Sequence, residues 1–134
     1  MSTLTVIDGD RVTLWYHPEH RIVHHQFRKY MYGEHFRAVL DRGIELMQEH
    51  GANKWLSDDR GNSTLSTEDG EWAMQDWTPR AVAAGWQYWA IVLPERAVGQ
   101  IDMRKYMTRG EALGIQVQVF TDPILALAWL ESVD

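Results

Sequence analysis

Apolar residues alternate along the first third of the chain and then change period. Thr3 to Ile7, Arg11 to Tyr16 and Arg21 to Arg28 read as strands, separated by Asp8-Gly9-Asp10 and His17-Pro18-Glu19-His20. Asp-Gly tolerates positive φ and Pro18 presets the φ of a turn, so the three strands are expected to form an antiparallel meander. In the third, Val23, His25 and Phe27 share one face, while Ile22, His24, Gln26 and Arg28 share the other. From Gly33 to His50 the period is helical: Phe36, Val39, Leu40, Gly43 and Met47 form a stripe opposed by Glu34, Arg37, Asp41, Glu45 and Gln48. Gly51 stops that helix.

A short strand, Lys54 to Ser57, runs into the polar stretch Asp58 to Ser63. Ser66 with Asp69 three residues on has the form of a capping box, opening a helix that carries Ala73, Met74 and Trp77. Pro79 is expected to interrupt it, with Thr78 capping a second short segment that ends at Gly85. Trp86 to Leu93 is a nearly continuous apolar run bounded by Gly85 and Pro94, the pattern of a central strand covered on both faces. In the helix after Pro94, Met103, Tyr106, Met107 and Gly110 make one stripe, with Val98 and Ile101 off it. That helix either starts late or has two apolar faces. A strand from Ile115 to Phe120 and the start signal Thr121-Asp122-Pro123 lead to a last helix with Leu127, Trp129 and Leu130. The order β-β-β-α-β-α-β-α-β-α predicts one α/β domain over residues 1–134, with a mixed sheet whose later strands are parallel and joined by right-handed crossovers.

Composition narrows the function. A chain of 134 residues, 45% hydrophobic, can bury a core without disulfides or a structural metal. With no cysteine, disulfides and thiolate chemistry are excluded, which fits a reducing compartment. The net charge of -6, with Lys and Arg interspersed among acids, lacks the footprint that holds a phosphate backbone, so nucleic acid is not an expected partner. The start Met1-Ser2-Thr3-Leu4-Thr5 has neither the basic segment nor the apolar core of a signal peptide, and no stretch approaches a membrane span. The expected location is the cytoplasm, without stable membrane anchoring.

The carboxyl ends of parallel strands are where open α/β sheets bind ligands, and three such exits should converge. They supply Asp58, Asp59, Arg60 and Asn62, then Glu95 and Arg96, then Asp122. A pair of aspartates beside a third has the donor atoms for Mg²⁺ and phosphoryl chemistry. No glycine-rich phosphate cradle accompanies them, Asp122 also suits a helix cap, and Arg60 can neutralise either neighbour. Four histidines, His17, His20, His24 and His25, fall within nine residues, yet His24 and His25 must point to opposite faces and no partner ligand completes a zinc set. Neither a metal nor a cofactor is expected. Seven tryptophans are the compositional oddity, and Trp72, Trp77, Trp86, Tyr88 and Trp89, in neighbouring elements, would line an apolar pocket or simply fill the core.

Together with the order of elements, four strings make the chain resemble one family: Lys54-Trp55-Leu56-Ser57-Asp58-Asp59-Arg60; Glu71-Trp72 through Trp77-Thr78-Pro79-Arg80-Ala81; Ala90-Ile91-Val92-Leu93-Pro94 with Gly99-Gln100; and Phe120-Thr121-Asp122 leading to Ala128-Trp129-Leu130. The chain resembles the SpoIIAA-like family of the STAS superfamily, the fold of bacterial anti-sigma-factor antagonists, whose wider grouping takes in CRAL-TRIO lipid-exchange domains. The resemblance covers nearly the whole chain and implies a non-catalytic regulatory or protein-interaction module with a protein partner. In the antagonists a serine directly after an aspartate, at the strand exit before the second helix, accepts phosphate. Here Asp59 or Arg60 stands at that position, so a recognition surface of Asp58, Asp59, Arg60, Asn62, Ser63 and Arg96 would act without phosphorylation. A small apolar-ligand or lipid-binding domain is the alternative, and a metal-assisted enzyme on the Asp58/Asp59 edge a third. Val98 and Ile101 add the expectation of a homodimer.

Overall fold

Residues 3–61 and 65–134 are described by the computed structural model. Strands β1 (Leu4–Asp8), β2 (Val12–His17) and β3 (Ile22–Phe27) pair antiparallel. Strands β4 (Lys54–Asp58), β5 (Tyr88–Val92) and β6 (Gln116–Phe120) follow, each parallel to the one before, so that the six-stranded mixed sheet runs β1 to β6 in chain order. The α/β class and the parallel later strands agree with the sequence.

Crossovers of one hand between strands that advance in one direction must place all their helices on one face. Helices α1 (Gly33–His50), α2 (Thr67–Trp72), α3 (Thr78–Ala83) and α4 (Ala97–Ala112) do pack on a single side. There Val23 and Phe27 of β3, Trp55 of β4 and Trp89 and Ile91 of β5 meet Phe36, Leu40 and Met47 of α1 and Trp77 and Ala81 beyond α2. The opposite face would be bare without α5 (Pro123–Ser132), which lies across β4, β5 and β6. Its Ala126 and Leu130 close over Ile22, Leu56, Ala90 and Val92. The apolar run of β5 is thus covered on both faces.

Local chemistry accounts for the helix ends. Gly51 takes the left-handed conformation, φ 65°, that terminates α1. At the start of α2, the Ser66 hydroxyl accepts from the Asp69 backbone N–H at 3.1 Å. The Asp69 carboxylate does not return a bond to Ser66. Instead it accepts from the Gly33 N–H and the Arg37 Nε, tying α2 to α1 from a position only 1% exposed.

The structure corrects one expectation and decides between two alternatives. Pro79 does not break the helix, because residues Ala73–Trp77 form a π-helical turn and the backbone stays helical through Thr78. A proline ring clashes with the carbonyl four residues earlier in an α-helix, and the widened turn absorbs it. Thr78 is accordingly not a cap, since both its N–H and its hydroxyl donate to the Ala73 carbonyl. Helix α4 does not start late: it begins at Ala97 and leaves Val98 and Ile101 58% and 71% exposed. Among the described residues no helix is long and apolar enough to cross a membrane.

Candidate functional site

The three strand exits do converge. Leu93 N–H donates to the Phe120 carbonyl, Asp59 N–H to the Val92 carbonyl, and Glu95 N–H to the Arg60 carbonyl. Arg60 gathers the charge of all three: its hydrogen bonds to Asp58 foremost, then the carboxylates of Asp58, Glu95 and Asp122, raise its pKa against the opposing pull of burial. The Asp122 side chain caps α5 by accepting from the Ile124 N–H at 2.8 Å.

The aspartates at this edge do not form one exposed surface, and their carboxylates do not converge. Successive residues at a strand end face opposite sides of the sheet. Asp58 stays on the α5 side, buried, its two oxygens held by Nε and an η-nitrogen of Arg60 at 2.9 Å each. Asp59 is buried on the other side, where Oδ1 accepts from His25 Nε2 at 2.9 Å. Arg96 is exposed at the start of α4. Asn62 and Ser63 lie outside the described residues.

His24 and His25 likewise diverge. His24 Nδ1 lies 3.0 Å from His17 Nε2 on the α5 side. Among the described residues no group of three or more His, Asp or Glu side chains is placed to hold a metal ion.

On the helix-covered side, the residues around His25 line a partly open cavity of about 90 Å³. Its floor comes from β3 and β4, where register sets His25 beside Ser57. Trp55, two residues before Ser57, shares that face, as does Asp59. Its walls are Trp55, Trp77, Trp86 and Trp89, stacked edge to face or tilted with centroids 5.1 to 6.2 Å apart. The roof is α4, through Gly99, Asp102, Met103 and Tyr106. Burial pushes the Tyr106 phenol up, ahead of any charge around it.

Three of the expected aromatic residues, Trp77, Trp86 and Trp89, therefore line a cavity, and two do not. Trp72 packs against Phe36 beneath the guanidiniums of Arg37 and Arg80. Tyr88 faces α5, against Trp129, because alternation along β5 sends it opposite to Trp89. Trp55, His25, Ser57 and Asp59 complete the site. The signal for them was the shared face of Trp55, Ser57 and Asp59, joined by the already legible face of His25.

Every indole N–H in the wall is committed: Trp55 to His25 Nδ1 at 2.9 Å, Trp77 to the Leu40 carbonyl at 2.9 Å, Trp86 to the Tyr88 carbonyl at 3.1 Å, and Trp89 to Ser57 Oγ at 2.9 Å. The first of these settles a tautomer. His25 Nδ1 accepts, so the imidazole proton sits on Nε2 and is donated to Asp59. Ser57, His25 and Asp59 are the residue types of a nucleophilic triad, wired differently. The ring nitrogen that would take the serine proton is held by Trp55, and the serine oxygen receives Trp89. Compared with known proteins, the chain matches no family model, no curated protein and no solved structure.

Proposed function

We propose that this chain is a non-catalytic ligand-binding module whose Trp-lined cavity takes a small, mostly apolar ligand. The single observation that carries the reading is the cavity itself, aromatic on its walls with a few convergent polar groups on its floor. The engagement of His25 Nδ1 by Trp55 supports a binding role over catalysis. The likeness to the SpoIIAA-like family is supported by the element order, three antiparallel strands followed by alternating helices and parallel strands.

A thermal-shift screen of small uncharged and charged organic compounds tests the reading, because a ligand that binds only the folded state at a hundredfold its Kd adds about 2.7 kcal/mol. That corresponds to a rise of several degrees in Tm. The same compound should lose its effect on Ala73→Leu, in which the larger side chain fills the cavity from its wall. A shift that survives this substitution would put the ligand elsewhere and remove the reading.

The second reading, a regulatory protein-interaction module, is favoured by Val98 and Ile101 standing exposed on α4. A second copy of the chain is the partner it names. Light scattering should then show dimer at high micromolar concentration and monomer for Ile101→Asp; monomer throughout for the unsubstituted chain rejects it.

A further inference from the structure

The charges around the cavity are one-sided. The geometry points to a small organic cation, an alkylammonium such as a trimethylammonium group, as the ligand class of the Trp55–Trp89 cavity, with Asp59 as its counter-ion. This rests on the cavity being a binding site and adds the chemistry of what binds.

The walls favour a cation because all four indole N–H groups are spent inside the protein, so what the indoles have left to offer a ligand is ring surface. The negative face of an aromatic ring attracts a cation, most strongly for indole and most of all where water is excluded. Among the described residues, the charged side chains lining the cavity are the carboxylates of Asp59 and Asp102, and no lysine or arginine lines it. Lys105 sits 2.9 Å from Asp102 and answers its charge. No lysine or arginine answers Asp59 among the described residues: His25, whose Nδ1 accepts from Trp55, donates its Nε2–H to Oδ1 and orients the carboxylate, and no described donor engages Oδ2.

Size sharpens the class. An enclosed apolar cavity of about 150 Å³ accepts benzene, so about 90 Å³ is too small for an acyl chain; because the cavity is partly open to solvent, the methyl groups of a head group can enter it while the rest of the ligand stays outside.

Titration of the full chain with tetramethylammonium and choline, followed by tryptophan fluorescence and calorimetry, tests this against the uncharged tert-butyl analogue of choline, in which carbon replaces nitrogen. Sodium chloride at equal ionic strength is the control. The cations should saturate and bind at least tenfold more tightly than the analogue. Asp59→Asn, which keeps the shape and an acceptor for His25, should lose that preference while binding the analogue as before. Trp55→Phe supplies an independent check if Asp59→Asn does not fold: a phenyl face holds a cation less strongly than an indole face, so the cations should lose part of their preference over the analogue. Equal binding of cation and analogue overturns the cation assignment and leaves the cavity reading standing. A preference that survives Asp59→Asn, in a variant that folds, overturns the role of Asp59. Binding of neither probe, with tryptophan fluorescence unchanged, overturns the assignment; the cavity reading then stands or falls separately on the uncharged compounds blocked by Ala73→Leu.

Discussion

Replacing Trp55 by alanine should cost about 3–5 kcal/mol of stability, the range for emptying the site of a large buried aromatic. The ring is 1% exposed, contacts Trp77 and Trp86 edge to face or tilted, and holds His25 through its N–H. Helix α1 makes room for it at Gly43, where an added Cβ would lie 2.0 Å from Cη2 and 2.4 Å from Cζ3 of Trp55. Gly43→Ala in the otherwise unchanged chain should therefore destabilise by about 1–3 kcal/mol through overpacking. In the Trp55→Ala background the obstacle is gone, and the same substitution should stabilise by about 1 kcal/mol, the ordinary helical gain of alanine over glycine. Urea unfolding of the two single variants and the double variant measures the coupling. Additive effects would mean that Gly43 is not there to admit the indole.

The reversal of sign at Gly43 also marks the boundary of what could be read along the chain. Gly43 was legible as a member of the buried stripe of α1, because helical periodicity is local. Its reason was not, since Trp55 lies on another element. The same division runs through the site. His25 was placed on the Val23 and Phe27 face by alternation alone. That it meets Asp59 and Trp55 depends on the β3 to β4 register, which pairs residues about thirty positions apart. Asp58, Asp59 and Arg60 looked like one polar surface because the strand was expected to stop at Ser57. It continues through Asp58, and that single residue keeps the alternation going and sends the two carboxylates to opposite sides. Tyr88 was assigned to the aromatic pocket by proximity in sequence, although the same alternation, applied to β5, would have set it apart from Trp89. The π turn before Pro79 had no such signal.

Acidification should remove stability through His24 from about pH 6.5 downward, before most carboxylates are protonated. Its pKa is lowered from 6.5 to about 3, by desolvation first, then by the charges of His17 and His25. The physical cause is visible: Nε2 is buried with no hydrogen-bond partner among the described residues, and Nδ1 shares a bond with His17, which itself lies 3.1 Å from the Thr3 hydroxyl. The sign follows from proton counting. Unfolded, His24 takes a proton near pH 6.5; folded, it resists until about pH 3. The unfolded chain thus binds more protons across that interval, and stability is complete above it and falls as pH drops through it. Each unit of pH is worth about 1.4 kcal/mol per such group, so about 2–3 kcal/mol should be lost between roughly pH 6.5 and pH 4.5. His17, whose pKa burial also lowers against a pull from Glu131, adds to the same slope. His24→Phe keeps an aromatic ring beside Trp15, at a present centroid distance of 4.6 Å, and removes the titration. Unfolding free energies of this variant should be markedly flatter over the same two pH units, and it should be the more stable chain at the acid end. A slope unchanged by His24→Phe would assign the acid sensitivity to other groups and show that His24 accepts its proton within the folded sheet.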